Sequence, residues 1–184
     1  MRILGVILAG GKSSRMGESK AAMEIGGVSL LSITFNNMQD CHEIVLASNN
    51  ITIPDDIPSC RIIPDASESE GPLAGVFSGL EFAKENEFDM VQLCPCDTPL
   101  VNQKIFSDLK KEIGGAECCV PESAIGMHPL HALMKTSEAI TSFKGGMVGK
   151  SAHSLVKSLE YNTIFVEDKI MLNINTPEDL AEIN

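Results

Sequence analysis

Close to the start of the chain, "VILAGGKSSRMGESK" sets the double glycine Gly10-Gly11 before three basic residues, Lys12, Arg15 and Lys20. A strand ending in Ala-Gly-Gly brings bare backbone N–H groups close to a ligand, because glycine has no Cβ in the way and tolerates positive φ. A nest of such amides binds anions. The three cations add formal charge, which suits a polyphosphate better than one carboxylate, and a guanidinium grips phosphate oxygens bidentately. The bland alternative is a tight turn whose Lys and Arg only face solvent.

Spacing separates this loop from two familiar phosphate binders. A Walker A loop needs glycine, four residues, then Gly-Lys-Ser/Thr. "GKS" stands at 11–13, but the earlier glycine would have to occupy position 6, which is Val6, and Gly5 misses by one. Gly10, Gly11 and Gly17 do not form the G-x-G-x-x-G of a dinucleotide fingerprint either. The loop is a phosphate-binding candidate of another kind.

Elements that would carry it alternate along the chain. Aliphatic runs of strand length ("RILGVIL", "EIVLAS", "RIIP", "MVQLCP", "AECCVP") are interleaved with amphipathic helical stretches at about 29–39, "GPLAGVFSGLEFAKE" and "QKIFSDLKKEI". This is the pattern of an α/β domain on a mainly parallel sheet. Pro72 falls in the first turn of the second helix, where a missing N–H costs nothing. After residue 121 the alternation lapses: "SAIGMHPLHALM" reads as two short strands around a turn, a small antiparallel element in the C-terminal half. Helices about a glycine loop follow, then the strand "NTIFVED" and a closing helix with Thr176 as N-cap and Pro177 first. Residues 1–184 carry no repeat or linker and are expected to form a single domain.

The totals bound the partners. A net charge of −11 argues against nucleic acid, whose backbone is bound by clustered Lys and Arg, whereas residues 1–30 hold a local excess of two positive charges. No apolar run approaches the roughly 20 residues that span a bilayer, and, with no basic n-region leading into a long apolar stretch at its start, a signal peptide is not expected. No membrane association and a cytoplasmic location are expected. The six cysteines lack C-x-x-C spacing and read as reduced, mostly buried thiols.

"LAGGKSSRMGESK" resembles the signature L-A-G-G-x-x-x-R-M-G-x-D-K of the nucleotidyltransferase family that contains the molybdenum cofactor guanylyltransferases. "IIPD", "GPLAG", "LCPCDTPLV", "HPLHAL" and "NINTPEDL" follow in the family's order. The resemblance implies a Rossmann-like three-layer nucleotidyltransferase fold. It also implies Mg²⁺-dependent transfer of GMP from GTP to the terminal phosphate of molybdenum-molybdopterin, with release of pyrophosphate. By motif position, the backbone of Leu8, Ala9, Gly10 and Gly11 meets the nucleotide, Lys20 its phosphates, Asp65 the nucleotide, and Asp97 both nucleotide and metal. Arg15 clamps phosphates or braces the loop.

Hard-oxygen Asp97 at the end of a strand suits Mg²⁺. His128, Asn173 and Asn175 are expected on the pterin side, or as loop and capping residues; His128 and His131 without a third ligand are weak evidence for zinc. Molybdenum-insertion proteins and molybdoenzyme apoproteins are the implied partners. Ser19 stands where the family has Asp, and Ala47 where some relatives carry a polar residue, with Ser48, Asn49 or Asn50 as substitutes. Two other readings stay open: a nucleotidyltransferase for a sugar phosphate or similar acceptor, and a non-catalytic carrier of GTP or molybdenum cofactor.

Overall fold

A computed structural model describes residues 1–9, 20–49, 51, 53–55, 57, 60–65, 71–146, 151–176 and 179. Strand β1 (Ile3–Leu8) is buried along its whole length, which only the middle of a sheet covered on both faces allows. Its neighbours are β4 (Glu43–Ala47) and β6 (Met90–Pro95), both parallel to it, and β5 (Arg61–Ile63) continues the parallel set beyond β4. The chain thus fills one side of β1 first and then crosses to the other. Such a reversal of strand order opens a crevice at the carboxyl ends of the strands.

The far half is mixed. Strand β7 (Cys118–Ser123) turns back into the short β8 (Gly126–Met127), and a 3₁₀ turn, Pro129–His131, leads to β9 (Leu133–Lys135). The two short strands read from "SAIGMHPLHALM" exist, but they do not pair with each other: β8 pairs with β7, whereas β9 enters between β6 and β7, antiparallel to both. The last strand, β10 (Tyr161–Phe165), is parallel to β7 and forms the edge, completing an eight-stranded sheet.

Alternation along the strands feeds two cores. Ile3 and Ile7 pack with Leu31, Phe35, Ile105 and Leu109 of α1 (Leu30–Asn37) and α3 (Gln103–Glu112). Leu4, Val6 and Leu8 pack on the opposite face with Val76 and Leu80 of α2 (Pro72–Glu85), Ala139 of α4 (Thr136–Lys144) and Leu155 of α5 (Ala152–Lys157). Adjacent Cys118 and Cys119 divide between the two cores. The result is the expected three-layer α/β/α arrangement on a mainly parallel sheet.

One local feature has no counterpart in the sequence pattern. Residues 24–29 form a separate hairpin, β2 (Glu24–Ile25) with β3 (Val28–Ser29), around Gly26 and Gly27 at φ 58° and 82°. Two successive positive φ values are what a two-residue hairpin turn demands, and glycine supplies them without strain. Ser29 then caps α1, its hydroxyl accepting the Ser32 N–H at 3.0 Å. No helix of the described residues is long and apolar enough to cross a membrane.

Candidate active site

Four strand ends are tied together at the carboxyl edge of the sheet by bonds just beyond the regular ladders. The Ala9 N–H donates to the Ala47 carbonyl at 3.1 Å, Ser48 N–H to Ile63 at 3.1 Å, and Cys96 N–H to Leu8 at 3.2 Å. These bonds hold Leu8 and Ala9, Ser48 and Asn49, the Asp65 segment and the Cys96-Asp97 turn in one row. Gly10, Gly11 and Arg15 lie outside the described residues, as do Lys12 and Ser19; Lys20 opens a 3₁₀ turn, Lys20–Ala22, and its side chain is likewise outside the description.

Asp65 is fixed by its backbone: its N–H donates to Asn49 Oδ1 at 3.0 Å. Asn49 therefore ties Asp65 to the end of the neighbouring strand. Ala47, two residues earlier, is buried and packs against α2, Ser48 beside it is buried too, and Asn50 lies outside the described residues. Partial burial raises the Asp65 carboxyl above the usual carboxylate range.

Helix α2 closes over this row, and its glycines are the residues that let it. A Cβ on Gly75 would meet Leu8 Cδ2 at 3.0 Å, Ala47 Cβ at 3.1 Å and Asp65 Oδ1 at 3.2 Å; one on Gly79 would meet the Val6 methyls at 2.8 and 2.9 Å. Ser78 between them donates to the Pro64 carbonyl at 2.7 Å. The sequence pattern marks these only as helical residues, although two glycines four apart on one helix face do signal a close approach of backbones.

Asp97 follows β6 and is half-buried. Its carbonyl accepts the Ile174 N–H at 2.7 Å, which draws the C-terminal "NIN" segment to the turn. Ile174 is buried and its neighbours Asn173 and Asn175 are exposed, so the two asparagines flank the point of contact with Asp97. Beyond them, Thr176 Oγ1 accepts the Asp179 N–H and Asp179 Oδ2 accepts the Thr176 N–H, the reciprocal box of a helix start. The closing helix itself lies outside the described residues.

His128 Nε2 meets Ser123 Oγ at 2.8 Å and His131 Nε2 meets Thr98 Oγ1 at 2.9 Å, so each ring is engaged by its own hydroxyl. Among the described residues no group of three His, Cys, Asp or Glu is placed to hold a metal. None of the six cysteines is paired in a disulfide. Burial pushes Cys41 up to about 12 and Cys60 to about 11, which keeps both protonated and unreactive where they line a shallow depression at the opposite, amino edge of β4 and β5.

Residues 5–162 match the MobA-like NTP transferase domain. The chain belongs to this family. A probable molybdenum cofactor guanylyltransferase of Trichormus variabilis is 32% identical over 98% of this chain and 90% of that protein. Among solved structures, molybdopterin-guanine dinucleotide biosynthesis protein A from Archaeoglobus fulgidus superposes with a TM-score of 0.69, at 18% identity over 97% of this chain and 95% of that one. The 2-C-methyl-D-erythritol 4-phosphate cytidylyltransferase of Thermus thermophilus gives 0.71, at 19% identity over 99% and 97%. These last two likenesses establish the nucleotidyltransferase fold.

Set in a MobA-like NTP transferase, the row of strand ends has a clear division. Leu8, Ala9, Asn49 and Asp65 belong to the parallel half, and the "NIN" segment arrives from beyond β10. Asp97 lies on the seam between them.

Proposed function

We propose that this protein is a molybdenum cofactor guanylyltransferase, transferring GMP from GTP to the terminal phosphate of molybdenum-molybdopterin. The observation that carries the reading is the 2.7 Å bond from Ile174 N–H to the Asp97 carbonyl, which joins the motif expected on the acceptor side to the carboxylate expected on the nucleotide side. The names of the curated relatives support the choice of nucleotide and acceptor.

In the proposed reaction an oxygen of the acceptor phosphate attacks the α-phosphorus of GTP, the bond from that phosphorus to the bridging oxygen of the β-phosphate breaks, and pyrophosphate leaves. No protein nucleophile is needed, so the work is alignment and charge neutralisation. Backbone groups of Leu8, Ala9, Gly10 and Gly11 cradle the nucleotide, Lys20 and Arg15 meet its phosphates, and Asp65 holds it from the neighbouring strand. His128, Asn173 and Asn175 receive the pterin phosphate side. Asp97 fits Mg²⁺: a single hard carboxylate beside a triphosphate is the setting in which that ion binds through one or two carboxylates and substrate oxygens. Mg²⁺ there supplies positive charge against the pyrophosphate that forms.

The test is acceptor and nucleotide choice. Purified protein with Mg²⁺, molybdenum-loaded molybdopterin and each nucleoside triphosphate in turn should release pyrophosphate with GTP and yield the guanine dinucleotide. Product from CTP alone would change the base. Turnover only with a sugar phosphate would change the acceptor, and GTP binding without turnover would leave a carrier.

A further inference from the structure

The Asp97 turn is braced from the far half of the sheet by a side chain that the proposed reaction does not use. His131 is 4% exposed and Thr98 only 1%, and the Thr98 hydroxyl lies between the Pro95 carbonyl at 3.2 Å and His131 Nε2 at 2.9 Å. Proton counting fixes their roles. A carbonyl only accepts, so the Thr98 hydroxyl donates to Pro95, and the imidazole supplies the Nε2–H that Thr98 accepts.

That tautomer leaves Nδ1 as a buried acceptor with no hydrogen-bond partner among the described residues. An orphaned polar atom is destabilising, a penalty that phenylalanine or leucine would not incur in the same space. The backbone that carries the imidazole is also tied to β6. The His131 carbonyl accepts from Gln92 Nε2 at 2.9 Å, and the adjoining Ala132 carbonyl accepts the Leu93 N–H at 3.0 Å. Gln92 and Leu93 belong to β6, the strand that ends at Asp97. The path from β6 through the Asp97 turn, Thr98 and His131 back to β6 is therefore a closed frame.

We infer that His131 is a positioning residue for Asp97: through Thr98 it fixes the turn that aims the carboxylate, and it is kept as histidine for that hydrogen bond. The inference rests on the reading of Asp97 as the carboxylate that meets metal and triphosphate. Residues that orient a metal ligand typically contribute about 10- to 100-fold to metal affinity or activity.

Three variants separate bonding from shape. His131→Phe fills the space without a donor, His131→Gln places an amide donor near the position of Nε2, and Thr98→Val removes the hydroxyl at constant volume. Hydrogen exchange at the Val101 amide, which donates to the Thr98 carbonyl at 3.1 Å, reads the turn in ligand-free protein. Calorimetric titration of GTP with and without Mn²⁺ reads the metal-dependent part of binding, and steady-state kinetics separate kcat from KM.

His131→Phe and Thr98→Val are expected to speed exchange at Val101, to lose about tenfold or more of the Mn²⁺-dependent gain in GTP affinity, and to lower kcat by a similar factor with acceptor KM unchanged. The double variant should be no worse than either, and His131→Gln should stand close to wild type. Wild-type exchange and metal-dependent binding in both His131→Phe and Thr98→Val would overturn the inference, as would His131→Gln being impaired while His131→Phe is not. If His131→Phe does not fold, Thr98→Val alone decides: loosened exchange with weakened metal-dependent binding supports the brace, and wild-type behaviour overturns it. Wild-type protein that binds no triphosphate, with Val101 still loosened by the variants, would remove the proposed function and leave the brace standing.

Discussion

On one side of the seam β1, β4 and β5 run the same way as β6, and short backbone bonds at their carboxyl ends hold Leu8, Ala9, Asn49 and Asp65 in a row. On the other side β9 runs against β6 and β7, and what reaches the site is a 3₁₀ turn carrying His131 and an extended segment around Ile174. In the proposed reading the first half meets the nucleotide, whose shape is constant, with residues that backbone bonds fix at strand ends. The second presents side chains from irregular segments, which is where a fold shared by many transferases can change its acceptor without disturbing the nucleotide site. Asp97 lies between the halves and is held by both, through Cys96 N–H to Leu8 and through Ile174 N–H to its own carbonyl.

The largest effect is therefore expected on the seam. Asp97→Asn keeps the size of the side chain and the backbone bonds but removes the charge, and pyrophosphate release should fall by at least about 1,000-fold with the thermal midpoint little changed. Activity within tenfold of wild type would show that the catalytic carboxylate is elsewhere. Asn173→Ala and Asn175→Ala should act on one half only, raising acceptor KM by about 10- to 100-fold, the value of one or two lost hydrogen bonds to a charged group, and leaving GTP KM unchanged. A matching rise in GTP KM would erase the division.

The halves also differ in how much of them the sequence reveals. Continuous aliphatic runs that end in a small or acidic residue announce β1, β4, β5 and β6 together with the placement of Asp65 and Asp97, because their short length and turn-residue flanks suit strands of a parallel sheet. Strand β9 is three residues long and pairs with partners far along the chain, so no local pattern could place it between β6 and β7. In the sequence His131 stands out only as one of the two histidines that flank Pro129-Leu130; that it reaches back to Thr98, 33 residues earlier, is a property of that insertion. Asn49 is one of three candidates in the sequence; its bond to the Asp65 N–H appears only in the fold, and Asn50 lies outside the described residues.

Gly75 and Gly79 show the same limit inside the legible half, and they separate stability from binding. Gly79→Ala forces a methyl against both Val6 methyls, at 2.8 and 2.9 Å, in a strand with no room to yield. Overpacking of about 1–3 kcal/mol should outweigh the roughly 1 kcal/mol that alanine gains in a helix, and chemical denaturation should show a net loss. Gly75→Ala meets softer contacts at 3.0 to 3.2 Å, but one is Asp65 Oδ1 and another Leu8. Its stability should change by less than about 1 kcal/mol while GTP KM rises about tenfold, since small displacements of a binding group are costly. Equal effects at both sites would mean that α2 moves as one rigid piece.

Acid distinguishes the halves by sign. Burial pushes the His131 imidazole from 6.5 down to about 3, with His128 acting in the same direction, so between those values the unfolded chain binds a proton that the folded chain refuses. The stability that His131 contributes is complete above pH 6.5 and is lost as pH falls toward 3, with a limiting slope of about 1.4 kcal/mol per pH unit. Asp65 does the reverse: burial raises its carboxyl, its charged form is the penalised one, and the penalty disappears as pH falls through the raised value. Urea midpoints measured from pH 7 to pH 4 should therefore fall less steeply in His131→Phe than in wild type, whereas Asp65→Asn should gain most at pH 7 and fall more steeply than wild type. His128, lowered by burial and partly offset by Asp168, is present in all three proteins and sets a shared background. Parallel curves for wild type and His131→Phe would mean that the imidazole takes up its proton within the fold, and the far half would then lack the buried neutral brace that distinguishes it from the strand ends around Asp65.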